Sequence, residues 1–519
     1  MGNYSFSIFE IIVFILFLQS CYLNKPSQIL TELEESGYTH ITGSSEISVF
    51  LSELSHRSAV AEKITIGTSV LGRPIEALLI SKEINWFKDG YSPKGKITVM
   101  LVASQHGTEP SGAEALLLIS REIAKGKLKS YLEDINFIII PNSNPDGRDL
   151  HRRVNGNGVN LSTNFIILSE PESRVIIDVL FRWRPEVILD VHESAVLKKK
   201  SLGKQGYLID FEAQFESANN PNVDREIRNF CYKKLLPGII TSVKEKGLSA
   251  QRYIGEITDI NQVISHGGLS LRNLRNMAGV MGIFSFLLEN RLDPSTGTYP
   301  TPKNIRKRVA KQYLCISSFI KCLQGHYSEI IKLSRNSYNK GRFQKNKCPI
   351  YLFYNYIVDP KKPEISLMLR KLDTNEPVEL SFNYHSIESK FFPLIMPMSY
   401  IVTNHQELIR GFLDLHHIKY EKIKSRYSTS IPVTIKKILG KEAVKKSKGQ
   451  IYYDYIVEKY IKEYTIKKGD LIINLEQPTY KLIALFLEPQ SLSSIFNYDR
   501  YSYLVEQNTD FFIYSIYKP

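Results

Sequence analysis

The chain has 519 residues, 43% of them hydrophobic and 23% charged, a globular composition with length enough for two domains or more. Its 67 Lys and Arg outnumber 53 Asp and Glu, for a formal charge of +14. The excess is scattered through an Ile-, Asn- and Tyr-rich chain that carries no nucleic-acid-binding motif, so it reads as a basic solvated surface, and nucleic acid is excluded as a partner.

The N-terminus reads as a targeting segment. Ile11 to Leu18 is an apolar core of signal-peptide length, interrupted on its N-terminal side by Glu10 and too short to span a bilayer. It ends in Leu18-Gln19-Ser20-Cys21, which resembles a bacterial lipobox, although Met1 to Phe9 lacks the usual Lys or Arg. The expectation is a lipoprotein-type signal peptide over 1–20 and lipidation at Cys21. The exported protein is then lipid-anchored to a bacterial membrane in the cell envelope, with a soluble secreted or periplasmic protein as the alternative.

Further along, Ile97 to Ala103 is an uninterrupted apolar run and predicts a buried strand. Pro110 to Ile119 predicts a helix, with Ser111 and Glu114 at capping-box spacing. Between them lies His106-Gly107-Thr108-Glu109, a turn at the carboxyl end of a strand, where open α/β sheets place their ligands. Val187 to Val191 is a second buried strand, running into His192, and Met281 to Asn290 a third, holding Glu289 near its end. Two imidazoles and a carboxylate can hold one zinc ion with a fourth position open to water, and a further carboxylate can act as general base.

With these residues goes Pro141-Asn142-Ser143-Asn144-Pro145-Asp146-Gly147 and, upstream, Gly67-Thr68-Ser69-Val70-Leu71-Gly72-Arg73-Pro74-Ile75. In this order, with 83 residues from Glu109 to His192 and 97 more to Glu289, the chain resembles the zinc metallocarboxypeptidases from about Glu32 to Ala310. The resemblance implies that His106, Glu109 and His192 bind one zinc per chain and that Glu289 is the general acid/base. It also implies that Arg153 polarises the scissile carbonyl and holds the oxyanion, with Asn155 beside it in the substrate site. The fold class expected is α/β: a mixed, mostly parallel sheet flanked by helices, with a smaller C-terminal α+β domain.

Three departures from the family pattern bear on specificity. Asn160 stands where an Asp accepts a hydrogen bond from the first zinc-bound imidazole. Ser162 and Thr163 replace the Asn-Arg pair that grips a substrate's terminal carboxylate, and neither hydroxyl equals a bidentate guanidinium. No tyrosine occurs in the window His266 to Met277, about twenty residues before Glu289, where the family places a mobile one. Arg272 or Arg275 supplies the lost cation, or both are helix-surface charges.

Of the other cysteines, Cys231, Cys315, Cys322 and Cys348 show no metal-binding spacing and read as buried thiols. Ile305 to Gly325 predicts a helix closing a catalytic domain of residues 21–326. The basic stretch 327–347 reads as a linker. From Cys348 the pattern changes to short strands, among them Ile350 to Tyr354, Pro377 to Phe382 and Ser399 to Val402, with helices at Gln406 to His416 and Tyr480 to Phe486. This predicts an accessory α+β domain over 348–519 that packs beside the active site. The function expected is zinc-dependent hydrolysis of an amide bond in a peptide or a cell-wall stem peptide. The alternatives are deacylation of an N-acyl amino acid and an inactive envelope binding protein.

Overall fold

The computed structural model describes residues 28–91, 93, 95–194, 202–292, 303–343, 349–447 and 450–517. The signal segment, Cys21 and Cys348 lie outside them. No helix among the described residues is long and apolar enough to cross a membrane.

The catalytic domain is built on β1 (Ala61–Thr68), β2 (Pro74–Ile80), β3 (Ile97–Ala103), β4 (Ile135–Ile140), β5 (Val187–Ser194), β6 (Tyr207–Ile209), β7 (Ala213–Ser217), β8 (Ala250–Arg252) and β9 (Phe284–Arg291). All but β6 form one sheet in the order β1-β2-β4-β3-β5-β9-β7-β8. The pairs β4-β3, β3-β5, β5-β9 and β7-β8 are parallel, and the other three antiparallel. This is the mixed, mostly parallel sheet that the family resemblance implies. Every residue of β3 and β4 is buried, because helices cover both faces and leave no side for polar alternation.

One covering layer consists of α1 (Ser44–His56), α2 (Pro110–Ala124), α5 (Leu236–Glu245) and α7 (Ile305–Gln324), with α7 in contact with both α2 and α5. Helices α4 (Pro171–Trp183), α6 (Leu274–Val280) and α8 (Tyr327–Phe343) contact β1, β5 and β3 respectively. Among the shorter helices of this domain, α3 (Pro145–Asp149) is little more than a single turn. The stretch read as a basic linker is therefore largely helix. Arg184 donates to the Tyr338 hydroxyl at 2.7 Å and lies over its ring, which helps fix α8 to the domain.

The capping box does not form. Glu109 is the N-cap of α2, while Glu114 turns to the Thr42 hydroxyl at 2.8 Å and to Arg148 Nη2 at 2.8 Å. Arg148 is 3% exposed, and a guanidinium taken out of water requires a carboxylate partner, a stronger demand than a helix cap.

The C-terminal domain holds β10 (Ile350–Val358), β11 (Glu364–Lys371), β12 (Pro377–Asn383), β13 (His385–Leu394), β14 (Ser399–Val402), β15 (Glu421–Lys422), β16 (Ile431–Ser447), β17 (Gln450–Tyr464), β18 (Leu471–Asn474), β19 (Thr509–Asp510) and β20 (Ile513–Ile516). Its largest sheet runs β15-β18-β14-β20-β16-β17, with β19 beside β16 and with α9 (Gln406–Leu415) and α10 (Tyr480–Leu487) packed on it. Phe412, Phe486 and Tyr400 belong to the same continuous apolar core as Phe137 and Phe286 of the catalytic domain. A second union matters for function. Strand β6 pairs with β11, so the sheet β12-β11-β6 crosses from one domain to the other. Beneath it, Leu202, Phe211, Ile254 and Ile257 pack on Leu367, Leu369 and Phe382.

Candidate metal centre and active-site cleft

Two loops converge at the carboxyl ends of β3 and β4. Asn144 caps α3 by accepting from Gly147 N at 2.9 Å, and its amide donates to Gln105 O at 3.1 Å, next to His106. Asp146 accepts from Ser69 Oγ at 2.8 Å, Leu71 N at 3.0 Å and Arg73 Nη1 at 2.9 Å. The Gly67–Ile75 hairpin is thus clamped onto the Pro145-Asp146-Gly147 turn. The two loops touch at Gly107, where a Cβ would lie 2.0 Å from the Gly147 carbonyl carbon, so no larger residue fits.

This arrangement brings the predicted ligands together. His106 Nδ1 lies 2.8 Å from Glu109 Oε1, His192 Nδ1 lies 3.0 Å from Glu109 Oε2, and the two Nδ1 atoms are 3.2 Å apart. All three side chains are buried, and they form the only such cluster of potential ligands among the described residues. Ligands about 2.0–2.1 Å from a tetrahedral zinc sit about 3.3 Å from one another, and the separations here, 2.8 to 3.2 Å, lie slightly inside that spacing. The far side of each ring is also held. His192 Nε2 is 3.1 Å from Asp190 Oδ1, and His106 Nε2 is 3.1 Å from Asn160 Oδ1 and 2.9 Å from Ser162 Oγ. An acceptor behind each Nε2 leaves both Nδ1 atoms free to ligate. The donor set, its spacing and its supporting acceptors all fit zinc.

Glu289 lies beside His192 in the β5–β9 register. Burial pushes its carboxyl up to about 7, the range of a group that both takes and returns a proton near neutrality. The cleft in front is lined by Glu109, Arg153, Gln214, Tyr253, Glu289 and Arg291, with Leu202, Leu208, Ile209 and Ile257 as an apolar wall. Arg153 is half-exposed and donates through Nη1 to Glu109 Oε1 at 2.8 Å.

The other expected substrate residues behave differently. Asn155 is buried and directs its amide to Glu170 at 2.7 Å and Glu172 at 3.1 Å, so it shapes the loop and does not face the cleft. The Ser162 hydroxyl supports His106, and Thr163 Oγ1 bonds back to Asn160 O at 3.2 Å. Neither Arg272 nor Arg275 lines the cleft. Arg275 is 4% exposed, so it is no surface charge, and its guanidinium lies 5.9 Å from the Tyr253 ring centre. Tyr253 is the residue missed from the sequence. It stands directly after β8, outside the window searched for a tyrosine, and only the pairing of β8 with β7 brings it to Glu289. Cys231 and Cys315 are buried free thiols, and Cys322 is a half-buried one.

Residues 47–174 match the profile of the family described as zinc carboxypeptidase. The chain is similar to a protein named carboxypeptidase 2 from Trichophyton equinum, at 21% identity over 416 residues, covering 77% of this chain and 73% of the relative. Over a shorter stretch it is similar to carboxypeptidase E of Caenorhabditis elegans, at 26% identity over 154 residues, 26% of this chain and 32% of that one. Among solved structures, carboxypeptidase A from Helicoverpa armigera superposes with a TM-score of 0.43 at 19% identity, covering 61% of this chain and 80% of that one.

Proposed function

We propose that this chain, a member of the zinc carboxypeptidase family with a single His106-Glu109-His192 zinc site, removes residues from the C-terminus of peptides, with Glu289 as proton carrier and Arg153 as oxyanion holder. The observation that carries the reading is the half-buried Glu289 carboxyl held next to the ligand cluster at the head of a cleft that also contains a cation. The chemistry that the ion supplies when bound is Lewis acidity towards a water and a carbonyl oxygen. Glu289 takes the proton from the attacking water and returns it to the leaving amine. Arg153 is the exposed cation on the open side and stabilises the charge that develops on the carbonyl oxygen. Tyr253 offers a phenolic hydroxyl to the peptide from the opposite wall. Leu202, Leu208, Ile209 and Ile257 give the leaving residue an apolar surface.

Peptides, including the stem peptides of a bacterial wall, are the substrates proposed. Export through residues 1–20 and lipidation at Cys21 belong to the same proposal, which places the enzyme on the envelope. Mass spectrometry of the mature N-terminus tests that part: an unmodified residue other than Cys21 at the start of the mature chain refutes it.

The test of the chemistry is Glu289→Gln, which keeps shape and removes the base. Zinc content should stay near one per chain while kcat on a peptide falls about 10²-fold or more. His192→Ala should lose the zinc. Near-normal turnover by Glu289→Gln would overturn the mechanism.

A further inference from the structure

Two of the ligand residues are also held from the far side of the sheet. Adjacent residues of a strand face opposite ways. Where His192 turns its ring to Glu109, Glu193 therefore turns to the helical layer of α2 and α7. There its carboxylate accepts from Arg308 Nε at 2.9 Å, from Arg308 Nη2 at 3.0 Å and from Ser111 N at 3.1 Å. Ser111 N is one of the donors that the start of α2 leaves without a partner inside the helix. The N-cap, Glu109, gives that start no side-chain cap, because its carboxylate is turned to the two imidazoles. Glu193 caps α2 in its place, and an acid at this end also suits the helix dipole. Two further bonds reach the ligands themselves. Glu193 N donates to Glu109 Oε2 at 3.1 Å, and Gln312 Nε2 donates to His192 O at 2.9 Å. Glu193, Arg308 and Gln312 are all buried.

We propose, resting on the zinc-site reading, that Glu193, Arg308 and Gln312 are positioning residues for the metal, through which α7 braces Glu109 and His192 at ligand spacing. Arg308 and Gln312 are four apart and so share one face of α7. From that face Arg308 grips Glu193 through two nitrogens, which fixes the plane of the carboxylate as well as its place. The fixed carboxylate pins the first turn of α2, and the residue just before that turn is the ligand Glu109. Gln312 pins the backbone of the ligand His192. Ligands on two separate elements, β5 and the start of α2, are thereby referenced to one helix. That helix lies outside residues 47–174, which match the family profile, so the brace is contributed by another part of the chain. Contacts that orient ligands from outside the coordination sphere typically change metal affinity by about 10- to 100-fold.

The test measures zinc affinity on the full chain by competition with a chelator, together with the visible spectrum of the cobalt-loaded protein, which reports ligand geometry. Replacing a buried ion pair by apolar side chains of similar size often leaves stability intact. Glu193→Leu combined with Arg308→Met should therefore keep the fold, weaken zinc by about tenfold or more and shift the cobalt bands. Glu193→Gln combined with Arg308→Met returns an acceptor to Ser111 N and should recover part of the loss. Gln312→Met, a neutral exchange of similar size, should weaken zinc by about threefold or more. Lys311→Met is the control: it removes an ion pair to Glu212 from the same helix, so it should lower the Tm of the metal-free protein and leave zinc affinity and the cobalt spectrum as in wild type. Wild-type affinity and spectrum in Gln312→Met overturn the brace, whether or not the double variants fold. A loss of zinc in Lys311→Met as large as that in Gln312→Met also overturns it, because any loosening of α7 would then suffice. Wild-type protein that binds no zinc refutes the ligand set and the brace together.

Discussion

The two zinc-ligand imidazoles are supported unequally, and Asn160→Asp tests what that costs. His192 leans on the carboxylate of Asp190 at 3.1 Å, while His106 leans on the uncharged amide of Asn160 at 3.1 Å. Replacing an acceptor behind a ligating imidazole typically changes metal affinity by about 10- to 100-fold, and a carboxylate raises the basicity of the ring more than an amide does. The site tolerates the change. Asn160 Oδ1 already accepts from Ser162 N at 3.1 Å and Ser162 Oγ at 2.9 Å, both of which an aspartate oxygen accepts equally well. Asp is as good a helix cap as Asn, so the short turn after it should not suffer. Zinc should therefore bind about tenfold tighter, about 1.4 kcal/mol, to Asn160→Asp. The assay is competition against a chelator of known zinc affinity at fixed pH. The mirror variant, Asp190→Asn, should weaken binding by a similar factor, since its amide also faces Gln105 Nε2 at 2.6 Å. Unchanged or weaker zinc binding in Asn160→Asp would refute the view that Asn160 limits the basicity of His106.

Gly107→Ala should destabilise the fold and cost zinc together, because its Cβ would collide with backbone at Gly147 and Arg148 in the loop that aligns His106 and Glu109; urea unfolding and metal content measure both, and wild-type values in the variant would argue against the close approach. Burial pushes the Glu186 carboxyl from 4.5 up to about 7, although it accepts a bond from Thr98 N at 2.7 Å. The folded state thus holds the proton more tightly than the unfolded chain, and the contribution of this group to stability falls as pH rises from about 4.5 to about 7, then stays flat. At about 1.4 kcal/mol per pH unit the loss is bounded near 3 kcal/mol. Glu186→Gln keeps an acceptor for Thr98 and should flatten that part of the stability curve in urea titrations across pH 4–8, whereas an unchanged slope would assign the pH dependence elsewhere.

The centre of the fold was legible because parallel strands covered on both faces must be apolar throughout. Ile97–Ala103 and Val187–Val191 announce themselves in this way, and the residues at their ends carry the chemistry. The resemblance to the carboxypeptidase pattern supplied the ligand set, which the fold brings together, and put Asn160 behind His106, where its Oδ1 lies 3.1 Å from the ring. What escaped reading depends on pairings distant in the chain. Tyr253 reaches the cleft only because β8 pairs with β7. Ser111 and Glu114 mimic a cap, but a buried arginine from another loop has the stronger hold on the acid. Residues 327–343 are too polar to advertise a helix, and their order comes from docking against β3, which no local pattern records.

The sheet β12-β11-β6 means that the wall of the cleft is not owned by the domain that cuts. A chain ended near residue 343 would keep every residue that matches the family profile and every proposed catalytic group. It would also strip β6 of its partner and bare Phe211, Ile254, Ile257 and Ile264 to water. An open strand edge beside fresh apolar surface invites pairing with other molecules. Trimming the protein to its enzymatic half would thus leave it prone to self-association. The choice of peptide can, by the same union, be retuned from a hairpin some 150 residues downstream of the wall it supports.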